Sequence, residues 1–571
     1  MIRAFLIAAA GLLMLGAAKV PTVDYRLGVE PQASGPPLLQ VEMRFRGDAD
    51  GETRLDLPDH WASAKDAWRY LSDIQVQGAT AIEDGPAVRV LRHRPNARIT
   101  VRYRVRTAYD ADPAGVDGNP YKGPLIRPDW MSLMGEFVFA SPEGRDELPA
   151  TFRWGRLPKG WQVVSDLEHG RMGRPMSVND VGQSITVGGP RTVILERPIA
   201  GGTLRFAAPA GAPFELAPFA DDIAKIVSAQ RGFWNDLKEP YFVAYLPLTA
   251  RPRGSSSGGT GRGDAFVLYG TPNTQTDRMR WTIAHEHIHT WIPKRVGRRP
   301  SDPEAAVYWI SEGFTEFYTV RSMLRAGLVT PDAGVAHLAG EAANYEANPL
   351  KTAPNARVVS DFWKDRDAQR LPYQRGELLA LKWDEVIRTK TGGKADLDDV
   401  VLRMRDQNLQ FPPDRGPDIL TGLISAARAV AEVDLRPDIA KYVDGGAYVD
   451  LPETLFDGCL DARVTVSPAY DSGFDHMASF DAKSVVGVRD GGPAWNNGLR
   501  DGMRITAIDL KPGDATREIV LTVLPKMGPE TTRTIRYWPH GDKEVETRRL
   551  QLAVGPSEAA KTACARKIGG L

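Results

Sequence analysis

The sequence is short of cysteine, with two in 571 residues, Cys459 and Cys564. That excludes a disulfide-dense scaffold, and since neither has a second Cys or a His within a few residues, it also excludes a cysteine-based zinc site. Beyond its first segment the chain has no run of eighteen consecutive apolar residues, so no membrane span is expected in the mature protein. No sign of charge is in excess: 72 basic residues face 72 acidic ones, without a Lys/Arg block to track phosphates. A dedicated nucleic-acid binder is thereby excluded. No internal repeat is visible, and 55 Gly and 43 Pro are too few for a collagen-like or low-complexity chain. What remains is an ordinary globular composition, 42% hydrophobic and 25% charged, at a length that accommodates several domains.

The first residues indicate export. Arg3 precedes fifteen uncharged, mostly apolar residues, Ala4 to Ala18, which end in Gly-Ala-Ala before Lys19. A positive start, a short apolar stretch and small residues at the junction form a signal peptide, 1–18, whose alternative is an uncleaved anchor. An exported, periplasmic or secreted chain meets an oxidising compartment. There Cys459 and Cys564 are expected to form one disulfide rather than to stay as two free thiols.

Three regions follow. From 19 to 208, short alternating runs such as Leu39–Phe45, Ile99–Val105, Ser184–Val187 and Thr203–Phe206 predict a β-sandwich. From 209 to 455 the pattern turns helical, with helices expected over Ala217–Leu237, Thr282–Trp291, Glu304–Arg325, Gln374–Arg388 and Leu397–Arg405. From 456 to 571 strand character returns around Val485–Val488, Ile505–Ile508, Ile519–Val523 and Thr534–Trp538. The expected fold class is α+β and multidomain.

Chemistry concentrates in Trp281-Thr-Ile-Ala-His-Glu-His-Ile-His-Thr290. His285 and His289 are four residues apart, so on a helix their imidazoles stack on one face and can share an ion. Glu286 lies about 100° round such a helix and can reach an activated water without ligating the metal. His287 points elsewhere and is read as a non-ligand. A third ligand is available in Trp309-Ile-Ser-Glu-Gly-Phe-Thr-Glu-Phe-Tyr318, where Glu312 is the candidate. Glu316, one turn on, could accept the free N–H of a ligating imidazole and so fix its tautomer. Two His and one carboxylate suit a single zinc ion.

These two stretches together resemble the glycyl aminopeptidase family of gluzincin zinc metallopeptidases. The resemblance implies an N-terminal β domain, a mainly helical thermolysin-like catalytic domain and a C-terminal PDZ domain. It implies that His285, His289 and Glu312 bind zinc and that Glu286 is the general base. It extends to Leu371-Pro-Tyr-Gln-Arg-Gly-Glu377, where it makes Tyr373 the donor to the oxyanion. Val486 to Ile508 is similar to a bacterial PDZ domain, whose groove takes an extended peptide as an added strand.

The sequence departs from the family in one place. Relatives carry a Glu on a Gly-rich strand that grips the substrate's free amine, whereas Gly258-Gly-Thr-Gly-Arg-Gly-Asp-Ala-Phe266 has none. Asp264 is the nearest acidic substitute. The resulting expectation is a zinc metallopeptidase acting on peptides, as an aminopeptidase favouring small N-terminal residues. A zinc endopeptidase and a non-catalytic PDZ-type peptide-binding protein are the alternatives.

Overall fold

The computed structural model describes residues 22–570, apart from 62–63, 112–122, 170–175, 237–240, 250–254, 263–264, 301–302, 412–414, 527–530, 554 and 556. Residues 1–18, expected to be a signal peptide, and Asp264 lie outside the described residues. The chain divides after His287 into two compact units.

In the first unit, apolar residues at every second position bury one face of each strand. Tyr25, Leu27 and Val29 alternate inward on Val23–Glu30; Leu39, Val41, Met43 and Phe45 do so on Leu38–Arg46. Ile99, Val101, Tyr103 and Val105 repeat the pattern on Arg98–Val105. These three strands pair antiparallel in a five-stranded sheet, Leu27 opposite Val41 and Val41 opposite Tyr103. Two four-stranded sheets contribute to the same core.

A further sheet of the same unit consists of β1 (Thr192–Ile199), β2 (Gly202–Pro209), β3 (Tyr241–Pro247), β4 (Ser257–Arg262) and β5 (Ala265–Gly270), in the order β1-β2-β3-β5-β4. The run Thr203–Phe206, expected in the sandwich, therefore belongs elsewhere: Leu204 to Ala207 of β2 pair in parallel with Tyr241 to Ala244 of β3. Both faces of this sheet are covered, so β2, β3 and β5 read as nearly continuous apolar runs rather than alternating ones. Ala244 and Val267 face the β-rich core. Val243, Phe266 and Leu268 face helices α1 (Leu216–Trp234) and α2 (Thr276–Ile288) through Phe219, Ile223, Val227, Met279 and Ile283. The edge strand is β4, antiparallel to β5.

The second unit is helical up to residue 444 and strand-rich after it. Its expected helix over Glu304–Arg325 is broken. A 3-10 turn, Glu304–Val307, leads into α3 (Tyr308–Ser311), and α4 (Gly313–Arg325) begins after a break at Glu312. Helix α5 spans Pro331–Ala347 and α6 spans Arg366–Thr391. The expectation for α6 began at Gln374, after Pro372, but the helix starts eight residues earlier. Asp365 caps it by accepting from the backbone N–H groups of Asp367 and Ala368, and Pro372 lies inside it. Proline deletes one helix bond there, and burial of Ala368, Leu371 and Leu378 on the same helix outweighs that loss.

Beyond residue 455, strands Arg504–Asp509, Ile519–Leu524 and Arg533–Tyr537 form a small sheet with its own core of Phe474, Val485, Leu499, Leu521, Val523 and Tyr537. The chain ends in α7 (Glu558–Gly569). Cys459 and Cys564 are joined by a disulfide with Cα atoms 5.4 Å apart, closing a loop across a sequence separation of 105.

One buried ion network ties these helices together. Arg321 of α4 is 1% exposed; its Nη2 donates to Asp384 Oδ1 of α6 at 2.6 Å, and its Nη1 donates to Asp398 Oδ1 at 2.5 Å. Arg388 Nε also donates to Asp384, at 2.7 Å, and Arg325 Nε donates to the Gly569 carbonyl at the end of α7. Removing one member leaves buried charge without its partner, at a cost of about 3–5 kcal/mol. Arg321→Ala is therefore expected to lower the unfolding free energy by about that amount in chemical denaturation, whereas a change below 1 kcal/mol would show that Asp384 is satisfied without it.

Candidate active site

Helix α2 carries the metal-binding pattern, but it ends at Ile288, so His289 occupies the turn that follows. That turn holds the imidazole in a defined way. His289 Nδ1 lies 2.9 Å from the Ile292 carbonyl, to which it can only donate, leaving Nε2 as the free electron pair. Glu312 sits at the break between α3 and α4, with φ −97° and ψ −47°. Its Oε2 lies 3.4 Å from His289 Nε2. His285 completes the group: ligand atoms of His285, His289 and Glu312 all lie within 4.8 Å of one another.

These distances fit a metal ion. Ligands at zinc–nitrogen and zinc–oxygen lengths in a tetrahedron stand about 3.3 Å apart. The 3.4 Å between His289 Nε2 and Glu312 Oε2 is that separation, and longer than a good hydrogen bond. Two imidazoles with one carboxylate are also the donor set of zinc sites that keep a position open for chemistry. Among the described residues no other group of three His, Cys, Asp or Glu side chains comes this close together.

His287 stays out of this group for a reason that lies on α1. Gln230 Nε2 donates to the Ala284 carbonyl at 2.7 Å, which turns its Oε1 toward His287 Nδ1 at 2.6 Å. Oε1 can only accept, so His287 carries its proton on Nδ1. The ring is fully buried against Tyr241, with centroids 4.4 Å apart, and burial together with Arg231 holds its pKa well below the usual value. Gln230 went unnoticed in the sequence, although it falls at helical spacing from Ile223, Ile226 and Val227.

Glu286 faces the edge strand. A β-carbon placed on Gly261 of β4 would lie 3.8 Å from Glu286 Oε2. The phenol of Tyr269, on β5, is pushed above its usual pKa by burial and by the Glu286 charge. The glycines of β4 have steric causes. A side chain at Gly259 would run into the Phe266 ring, and one at Gly258 into Tyr269. The next residue, Arg262, pairs with Glu136 and stacks 4.7 Å from the Trp61 ring, and burial lowers its pKa to about 10.

Tyr373 lies inside α6, half-buried, one residue after Pro372. The helix expected from Gln374 thus includes it. Glu316 has its Oε2 3.8 Å from His337 Nε2 on α5. Behind it sits a group that sequence reading passed over. Glu377 is buried to 1% exposure, neither of its carboxyl oxygens has a hydrogen-bond partner, and burial followed by the charges of Glu341 and Glu316 raises its pKa well above the carboxylate range. Glu341 is raised too, by burial and then by Glu316. The i, i+4 spacing of His337 and Glu341 on α5 was the available signal.

Residues 278–375 match the family of M61 glycyl aminopeptidases. That span contains every ligand of the metal group and Tyr373, and it bears out the resemblance read from Trp281 to Tyr318. The chain is an enzyme of the zinc metallopeptidase class. No curated protein matches the sequence. Among solved structures, the chain is similar to an aminopeptidase N family protein from Idiomarina loihiensis, with a TM-score of 0.63 and 14% identity over 95% of this chain and 100% of that one. That likeness is one of fold. An M1 zinc metallopeptidase from Deinococcus radiodurans matches with a TM-score of 0.47 and 17% identity, covering 76% of this chain and 96% of that one.

Glu377 gives this site a pH signature. Its folded pKa is raised, so above the unfolded value of 4.5 the unfolded chain releases a proton that the folded chain keeps. Stability contributed by this group is complete below that pH and falls by about 1.4 kcal/mol per pH unit until the folded pKa is reached. Glu377→Gln should therefore raise the melting temperature at pH 7 and leave it unchanged near pH 4. An equal shift at both values would assign the effect to packing.

Proposed function

We propose that this protein is an exported zinc-dependent aminopeptidase that hydrolyses peptides with small N-terminal residues. The observation that carries the reading is the convergence of His285, His289 and Glu312 inside the M61-matching segment, with Glu286 next to His285 on α2. Export rests on the sequence of residues 1–18 alone.

His285 Nε2, His289 Nε2 and one Glu312 oxygen would hold the ion, one per chain. When bound, zinc supplies Lewis acidity toward water and the scissile carbonyl. Glu286 then takes a proton from the attacking water and passes it to the departing amine. Tyr373 donates its hydroxyl hydrogen to the oxyanion as the carbonyl becomes tetrahedral. Strand β4 is the edge along which an extended substrate would lie, since Gly261 faces Glu286 without a side chain between them.

That same glycine favours a second reading, a zinc endopeptidase. An ammonium seated beside the metal needs a carboxylate partner, and at the one β4 position known to face Glu286 there is none. Asp264 is our candidate for that partner. For residues 456–571 we propose a PDZ-like module, whose small sheet with its own core would accept an extended peptide as an added strand.

Elemental analysis should give one zinc per chain, lost in His289→Ala. Glu286→Gln should keep the metal and lower kcat by about 10²–10⁴-fold. Full activity in Glu286→Gln would remove the mechanism. Free and N-acetylated copies of one short peptide separate the two specificities. Preference for the free amine, abolished by Asp264→Ala, supports the aminopeptidase; equal rates establish the endopeptidase.

A further inference from the structure

The two glycines at the crossing of α4 and α6 lie beside the two residues assigned to opposite sides of the reaction. Gly313 directly follows Glu312, and Gly376 stands one turn after Tyr373 on α6. Here the helices meet backbone to backbone. A β-carbon on Gly376 would lie 2.8 Å from Gly313 Cα and 2.8 Å from the Trp309 carbonyl carbon, and would run into the Trp309 carbonyl oxygen. A β-carbon on Gly313 would lie 2.6 Å from the Gly376 carbonyl carbon and 2.8 Å from the Glu377 nitrogen. Ordinary contacts of this kind begin near 3.4 Å. Neither glycine has positive φ, so the need for glycine is one of space and not of backbone conformation.

The turn of α6 that carries Tyr373 is held on its other sides. Gln374 accepts from Asn348 Nδ2 at 2.8 Å, and Arg375 Nη2 donates to the Ala353 carbonyl at 2.6 Å. Pro372 removes the helix bond that would tie this turn to the Ala368 carbonyl. Tyr373 therefore sits on a turn that has one helix bond fewer but is held from outside the helix. A β-carbon added at Gly376 has to displace α6 at the crossing, and Tyr373, three residues away on the same helix, moves with it.

We propose that Gly376 and Gly313 are positioning residues: their contact sets the reach of the Tyr373 hydroxyl toward the carbonyl held beside Glu312. This rests on Tyr373 being the oxyanion donor. The effect of an added methyl group should be large because separation, not chemistry, is altered. A misplacement of about 1 Å at a reacting group costs up to roughly 10²-fold in rate.

The test is a double-mutant cycle on the full-length, metal-loaded protein. Gly376→Ala and Gly313→Ala are each expected to lower kcat by about 10–100-fold, with KM within about twofold and zinc content unchanged. Binding of a phosphinic dipeptide, which mimics the tetrahedral intermediate, should weaken in parallel when measured by calorimetry. In a Tyr373→Phe background the same glycine changes should alter kcat by less than about threefold, because the group they position is gone. Gly340→Ala on α5, where a β-carbon meets nothing within 4 Å, is the control and should be neutral.

Equal glycine effects with and without the Tyr373 hydroxyl, or a loss of zinc that accounts for the loss of rate, would overturn the proposal. A Tyr373→Phe variant with normal kcat would instead overturn the donor role itself. Should both glycine variants fail to fold, Pro372→Ala decides the matter. It restores a helix bond in the same turn and should lower kcat several-fold at constant zinc content and KM, and an unchanged kcat would refute the coupling.

Discussion

A carboxylate held 3.4 Å from an imidazole nitrogen, with a second imidazole close by, is the constraint on which the rest of the second unit depends. Without an ion between them, such groups prefer a shorter hydrogen bond. Keeping them apart takes rigid mountings. His289 obtains its mounting from the Ile292 carbonyl in the turn after α2, and Glu312 obtains its own from a break between two helices. A break at a ligand is useful because its side chain no longer follows the direction imposed by either helix.

A helix break is also a weak point, and the surrounding structure reinforces it on both sides. Before it, Trp309 packs on Trp383 of α6, with ring centroids 5.9 Å apart. After it, Arg321, nine residues further on, locks α4 to Asp384 of α6. One turn after Trp309, and two turns before Trp383 on α6, the two helices approach closely enough that only glycine fits at 313 and 376. Large aromatic packing, a buried ion pair and a backbone crossing thus all act on one helix pair. Buried ion pairs add little net stability but give orientation, since alternatives leave charge unpaired.

Most of the ligand set was legible in the sequence because its information is local. A four-residue spacing brings His285 and His289 to one side, and a stretch of Trp, Phe and Tyr announces a buried helix in which a Glu needs a partner. The β-rich start and helical middle were legible from periodicity. What escaped was set by contacts distant in sequence. Gln230, 57 positions before His287, decides that histidine's tautomer, and its helical spacing gives no sign of that partner. The same holds for β1 and β2, which pair beyond the sandwich because β3, some forty residues later, offers a parallel partner. Helix ends were misread where caps and tertiary burial overrule a proline, as at Asp365 and Pro372 in α6.

The buried carboxyl of Glu377 shows the remaining tension in this design. It follows Gly376 immediately, so the crossing that brings α4 and α6 together also fixes the backbone of Glu377 against Gly313. Its side chain then enters a region already occupied by Glu316, Glu341 and His337. Three carboxyl groups cannot all be ionised in so dry a space, and the most buried one keeps its proton. A neutral acid in that position spares Glu316 and Glu341 a third like charge. The negative charge of this group is thereby limited without any loss of volume. An apolar residue of the same size would do this at lower cost to stability. The acid instead makes the charge around Glu316 and Glu341 depend on one proton, held in place by burial.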